Sequence, residues 1–286
     1  MKLPVRMMLR PRFLALRRGP NGGCLWSAIV LMTIAAWPLV GRAQGPPGRG
    51  GPPQPPRSPR EGAPVDLTGY WVSVVTEDWR WRMVTPLKGD FASIPINPMG
   101  RQVGETWDPA KDEAAGQQCR GYGAPAIMRL PGRVHITWQD DKTLKLDFDA
   151  GTQTRFFRFD TPAPANTQPS WQGYSTANWE RPPRGEEAQN AIPVFAVRTG
   201  VRGRSLEVKT TKLRPGYLRK NGVPYSDKTE VEEYFDYRKH PNGDEWFTVT
   251  TVVRDPVYLY NPFVTSSDFK KEPDGSKFRA TPCQAK

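Results

Sequence analysis

Only two histidines occur in the 286 residues, and one of them, His135, lies among groups that can exchange protons. It falls in the run Gly132 to Phe159, GRVHITWQDDKTLKLDFDAGTQTRFFRF, with Asp147, Asp149 and Arg155 further along. An imidazole beside a carboxylate is a general acid–base pair, the machinery of a cofactor-free lyase, isomerase or hydratase. A second set is denser. Gly216 to Ser226, GYLRKNGVPYS, brings together Tyr217, Arg219, Lys220 and Tyr225, and Glu233 follows shortly after. Adjacent guanidinium and ammonium groups on a loop can hold the carboxylate or phosphate of a ligand. The same stretch also reads as an ordinary hairpin, because Asn221-Gly222 favours a type I′ turn with charged flanks in water. Trp171 and Tyr174, in the run WQGYSTANWE, add aromatic surface suited to a partly apolar ligand.

Several chemistries have no local signal. The chain holds no Gly-rich phosphate loop, G-x-S-x-G elbow, H-E-x-x-H or Cys-x-x-Cys pair. Its few Cys and His residues are too widely spaced for a metal site. No metal and no cofactor is expected.

The elements that must position these groups read as β-strands. Val134, Ile136 and Trp138 alternate with His135, Thr137 and Gln139, and Leu144, Leu146 and Phe148 alternate with Lys145, Asp147 and Asp149. That period of two, broken at Asp140-Asp141 and Asp149-Ala150-Gly151, predicts an antiparallel meander. Alternation does not say which face is interior. If the polar faces turn into a barrel, His135, Asp147, Asp149 and Arg155 converge. If they meet water, as is commoner for antiparallel sheets, these are surface residues. Further strands are expected from Gly69, across Trp79, Trp81 and Met83, and over Ser205–Lys212, Thr229–Tyr237 and Glu245–Arg254. Asn97-Pro98 and Asp108-Pro109 each place a capping residue before a helix-starting proline, which predicts two short helices. The count, about eight to ten strands, suggests an all-β antiparallel barrel or curved sandwich.

Outside this domain the chain changes character. Residues 1–43 combine a basic start, the apolar run Leu25 to Val40 and Gly41-Arg42-Ala43, a Sec signal peptide cleaved after Ala43. Residues 44–64 are rich in Pro, Gly and Arg and read as a disordered tether, leaving 65–286 as a single β-rich domain in the periplasm or secreted medium. The formal net charge of +12 suggests nucleic acid at first sight. Removing the leader leaves 34 Lys and Arg against 29 Asp and Glu, or +5, so nucleic acid is not expected. Membrane contact is expected only through the signal peptide. Two cysteines remain, Cys119 and Cys283, and even pairing in an exported chain predicts a disulfide. Closing a loop of 164 residues contributes about 5 kcal/mol at most by chain entropy.

Gly69-x-Trp71, near the start of the domain, resembles the lipocalin G-x-W signature, whose Trp closes the base of a barrel. Three later blocks resemble a family of exported bacterial β-rich proteins with no established activity. They are Trp171 to Glu180, Gly216 to Ser226 running on to Glu233, and Thr248 to Pro256 with Asn261-Pro262-Phe263; Cys119 and its Gly-rich turn match a fourth. Many such relatives carry His where Tyr225 stands and Asp-Gly-Arg near Asp160-Thr161. The resemblance implies a secreted lipocalin- or calycin-like β-domain and supplies no reaction. The leading expectation is a binding protein for a small, partly apolar ligand held in a barrel pocket. Arg155, Trp171, Tyr174, Tyr217, Arg219, Lys220, Tyr225 and Glu233 are the candidate contacts. The alternatives are the His135/Asp147/Asp149 enzyme and an envelope interaction module.

Overall fold

The computed structural model describes residues 57–180 and 205–286. The expected leader, most of the tether and the stretch 181–204 lie outside the described residues. What is described is a closed β-barrel, with β1 (Gly69–Val74), β2 (Arg133–Asp140), β3 (Thr143–Phe148), β4 (Gln153–Phe159), β5 (Tyr174–Trp179), β6 (Ser205–Thr211), β9 (Glu230–Lys239), β10 (Glu245–Arg254) and β11 (Phe263–Glu272). The hairpin of β7 (Gly216–Arg219) and β8 (Val223–Tyr225) stands apart from it. Round the wall the order is β1-β11-β10-β9-β6-β5-β4-β3-β2, and β1 closes the ring by pairing with both β2 and β11.

The meander forms in the expected register, with Val134 opposite Phe148 and Leu146 opposite Arg155. Every contact round the wall is antiparallel except β4 with β5, which run parallel. Residues 160–173, with Pro162, Pro164 and Pro169, carry the chain back across the barrel end, the long crossover that a parallel pair requires.

Burial decides which face is inside. Val134, Ile136, Leu144, Leu146, Phe148, Phe157 and Phe159 are buried, while His135, Thr137, Lys145 and Asp147 alternate onto the outer face. Aromatic rings fill the interior: Trp71 meets Phe247 at 4.8 Å, Phe247 meets Phe269 at 4.7 Å and Phe157 meets Phe235 at 5.5 Å. Trp71 is fully enclosed, and its indole N–H donates to the Leu67 carbonyl.

Arg155 corrects the sequence reading. It shares the inward face with Phe157 and Phe159, not the outward face with Asp147. Its guanidinium meets Glu233 in a two-point pair, Nη1 to Oε1 at 2.9 Å and Nη2 to Oε2 at 2.5 Å. Nη2 also donates to Thr210 Oγ1 at 3.2 Å, and Thr210 and Ser175 share a hydrogen bond of 2.7 Å. Both charged side chains are wholly buried. Glu233 thus points into the barrel, not toward the β7–β8 loop.

A cap covers one end. Trp79–Arg82, expected as a strand, is instead a helical turn, α1. Asp78 enters the left-handed region (φ 53°) and turns the chain, and Arg82 is drawn inward to donate from Nε to the Arg129 carbonyl. The two expected helices, α2 (Pro98–Glu105) and α3 (Pro109–Ala114), begin where predicted, with Asn97 accepting from Gly100 N–H and Asp108 from Ala110 N–H. A 3-10 turn (Gln118–Tyr122) and α4 (Ala124–Ile127) complete the cap. A second apolar cluster, including Phe91, Ile96, Leu218, Tyr225, Leu259 and Phe263, joins the cap, the hairpin and the β10–β11 connection. The Asp255 carboxylate locks that junction by accepting from Ser226 N–H, Thr229 O–H, Val257 N–H and Tyr258 N–H.

Cys119 and Cys283 form the expected disulfide, tying the tail to the 3-10 turn. Residues 57–64, the end of the expected tether, lie against the wall. There Pro59 O accepts from the Trp179 indole and Arg60 N–H donates to Asp141 O.

Arg155→Met leaves Glu233 charged and unpaired, and is expected to cost about 3–5 kcal/mol in chemical denaturation. The double variant Arg155→Met/Glu233→Leu is expected to recover most of that loss. Equal stability of the single and double variants would show that the two groups are not coupled.

Candidate functional site

The expected acid–base set does not assemble. His135 and Asp147 are cross-strand neighbours on the outer face, where the imidazole stacks flat on Tyr70 with 3.9 Å between ring centres. Asp147 is engaged by Thr154 O–H and by Lys145 at 2.9 Å. Asp149 is elsewhere, buried at the strand end, where its carboxylate accepts from Arg133 N–H at 2.7 Å. Partial burial lowers the His135 pKa below its ordinary 6.5, against the upward pull of Asp147.

The ligand-contact candidates divide into structural residues and cap residues. Arg155 and Glu233 hold each other inside the barrel. Trp171 donates from its indole to Pro215 O, and Tyr174 from its hydroxyl to Thr161 O. The Tyr217 hydroxyl donates to Asp112, which also pairs with Arg120 at 2.9 Å; burial and that bond raise the phenol's pKa. Tyr225 is fully buried, and among the described residues its hydroxyl has no partner. It fits only because Gly123 and Gly216 lack a Cβ, which would stand 2.3 and 2.6 Å from that oxygen.

Arg219 and Lys220 are different, because they reach a cleft. The hairpin turn that presents them is not type I′. Gly222 N–H donates to Arg219 O, and Gly222 alone among the turn residues has positive φ (85°), a type I turn closed by a left-handed glycine. A Cβ at Gly222 would come within 2.2 Å of Trp107. Asn221 is fully buried, not in water, and its amide N–H groups donate to Leu87 O and Asp90 O. The turn thereby hangs residues 87–92 over the hairpin.

Beside the chain that leads into that segment, Val84 to Pro86, lies a narrow cleft of about 40 Å³, lined also by Trp81, Arg82, Arg129, Leu218, Arg219 and Lys220. Arg82, Arg129 and Arg219 are each more than nine-tenths buried. Arg82 is matched by Glu77, and Arg129 by Asp78 at 3.0 Å. Arg219 has no carboxylate within salt-bridge reach among the described residues. It donates to the carbonyls of Ala92 at 3.0 Å and Asp90 at 3.3 Å, and its guanidinium lies 5.4 Å from the Trp81 ring. Burial, and then the nearby Arg129, pull its pKa down to about 10. Among the described residues Arg129 Nη1 is a buried donor with no partner. Lys220 reaches the Lys286 main-chain oxygen and the Tyr122 ring.

A group that is buried, cationic and short of acceptors can hold an anion, and the planar forks of Arg129 and Arg219 suit carboxylate or phosphate. Sequence reasoning found Arg219 and Lys220 but missed Trp81, Arg82 and Arg129. The one available signal was Arg80 and Arg82 between aromatic residues, and it reads as strand alternation.

No known protein-family profile matches the chain, and no curated protein or solved structure is significantly similar to it. The resemblance of the sequence blocks therefore rests on those residues alone.

Two outcomes follow. Tyr225→Phe removes a hydroxyl that makes no bond, so stability is expected to change by less than about 1 kcal/mol or to rise. A large loss in thermal or urea unfolding would show that the hydroxyl does have a partner. In an NMR titration, His135 is expected to ionise below 6.5. Its contribution to stability is then present above the unfolded value and lost as pH falls through the lower folded one. A midpoint above 6.5 would mean that Asp147 outweighs burial.

Proposed function

We propose that the protein is an exported binding protein for a small, partly apolar anion, held at the capped end of the barrel. One observation carries this reading. Among the described residues Arg219 is buried without a carboxylate, in a cleft also lined by Arg129, whose Nη1 is an unsatisfied buried donor. A buried cation of this kind costs free energy unless an anion meets it, and a ligand carboxylate or phosphate supplies one. Trp81, Leu130 and Leu218 give the cleft its apolar side and suit a ligand whose charged group is attached to hydrocarbon or an aromatic ring. The barrel interior has less to recommend it as the site, because aromatic rings and the Arg155–Glu233 pair occupy it. The acid–base alternative is weaker too. His135 sits on the outer wall under Tyr70, and none of the cavities described here is lined by it.

Hexyl phosphate, an anion with a short apolar chain, is a direct probe by isothermal titration calorimetry. Binding is expected, and Arg219→Met or Arg129→Met should weaken it by about tenfold or more, the loss of a charge-assisted hydrogen bond. Arg158→Met, a cation stacked on Tyr174 elsewhere on the barrel, should leave it unchanged. Equal affinity in all three variants would overturn the assignment.

A further inference from the structure

Exposed apolar side chains are not spread evenly over this molecule. The large ones among the described residues are Trp79, Met83, Val84, Leu87, Met99, Val103, Tyr260 and Val264. All but Val264, on the outer face of β11, belong to the cap segment or to the β10–β11 connection that packs on it, where Ile96 bridges Leu259 and Tyr260 N–H donates to Pro95 O. Trp79 is 66 % exposed and Leu87 84 %, in a nine-residue stretch whose middle, Val84 to Pro86, forms one wall of the arginine cleft. Scattered surface hydrophobes need no explanation, whereas a contiguous set at one end marks a contact surface. Cations accompany it: Lys88 directly after the exposed stretch, Arg80 on it (paired with Asp90 at 3.5 Å), and Arg219 and Lys220 in the cleft.

We propose that the capped end docks on an anionic phospholipid surface, with Trp79, Met83, Val84 and Leu87 entering the interface and the cleft receiving a lipid phosphate. The inference rests on the anion-binding reading of the cleft and names the source of the anion. The charges decide the occupant. A water-soluble acid would need the cleft but not the exposed apolar stretch beside it, and an apolar protein partner would need the stretch but not a buried cation. A phospholipid presents both features, a phosphate next to hydrocarbon. Tryptophan favours that boundary, and basic side chains at the rim gain from the negative surface potential. Among the described residues no helix is long and apolar enough to cross a membrane.

The test is hydrogen–deuterium exchange on the full chain with vesicles of phosphatidylglycerol, and separately of phosphatidylcholine. Exchange in 79–88 should slow several-fold on the anionic vesicles and much less on the zwitterionic ones. Trp79→Ser/Leu87→Ser should reduce co-sedimentation with phosphatidylglycerol by about tenfold. The apolar N-terminal run is common to both proteins, so it does not enter the comparison. Unchanged exchange in 79–88, or equal sedimentation of the double variant, would overturn the proposal. If hexyl phosphate still binds in that case, the cleft reading survives alone. If it does not, both fail. A concentration-dependent dimer that the double variant abolishes, with no vesicle protection, would assign the patch to a second copy and also overturn it.

Discussion

At the capped end, Arg219 keeps its guanidinium out of water with only the carbonyls of Asp90 and Ala92 and the edge of an aromatic environment around it. The architecture there follows from that contact and from Asn221, whose amide holds Leu87 and Asp90 from the same turn. Together they hold residues 87–92, and the chain just before them, Val84 to Pro86, walls the cleft. Gly222, with its positive φ and its close approach to Trp107, is what allows the turn to sit so deep. The carbonyls supply partial charge but no whole negative charge, so the site remains cationic after folding.

A comparison within the molecule sharpens the point. Arg155 is almost wholly buried, yet Glu233 meets it with two hydrogen bonds and Thr210 with a third. That pair is internally neutral and sits among rings inside a filled barrel, where it fixes β4 against β9 across the interior. Arg219 is also more than nine-tenths buried, and among the described residues it has no such partner. The first arginine is explained by the fold alone, whereas the second keeps a buried charge that no carboxylate among the described residues pairs with.

The fold was largely legible in the sequence because strand alternation is a strong signal where one face is apolar. The meander, β10 and the starts of α2 and α3 follow directly from residue order, and cysteine parity anticipated the Cys119–Cys283 bond. Other features were hidden for physical reasons. The doublet Phe156-Phe157 puts an aromatic ring on each face of β4, which obscures its phase and made Arg155 look outward. In β11, FVTSSDFKKE, the inward positions include Thr265 and Ser267, too small and polar to mark a core strand. The run Trp79 to Met83 alternates like a strand, but a left-handed Asp78 and the burial of Arg82 coil it into a turn. The site was half legible. Arg219 and Lys220 stood out as adjacent cations, whereas Arg129 joins them only through tertiary packing that no local pattern encodes.

The most direct test of the cleft is crystallographic. Crystals of the protein grown with selenate, a phosphate-sized anion located by its anomalous signal, should show a peak within hydrogen-bond distance of both Arg129 Nη1 and the Arg219 guanidinium. A peak there would demonstrate that the buried charge is a receptor. An empty cleft at saturating selenate, with Arg129 Nη1 bonded to a protein carbonyl or carboxylate, would contradict the account and make Arg219 a structural residue of the cap.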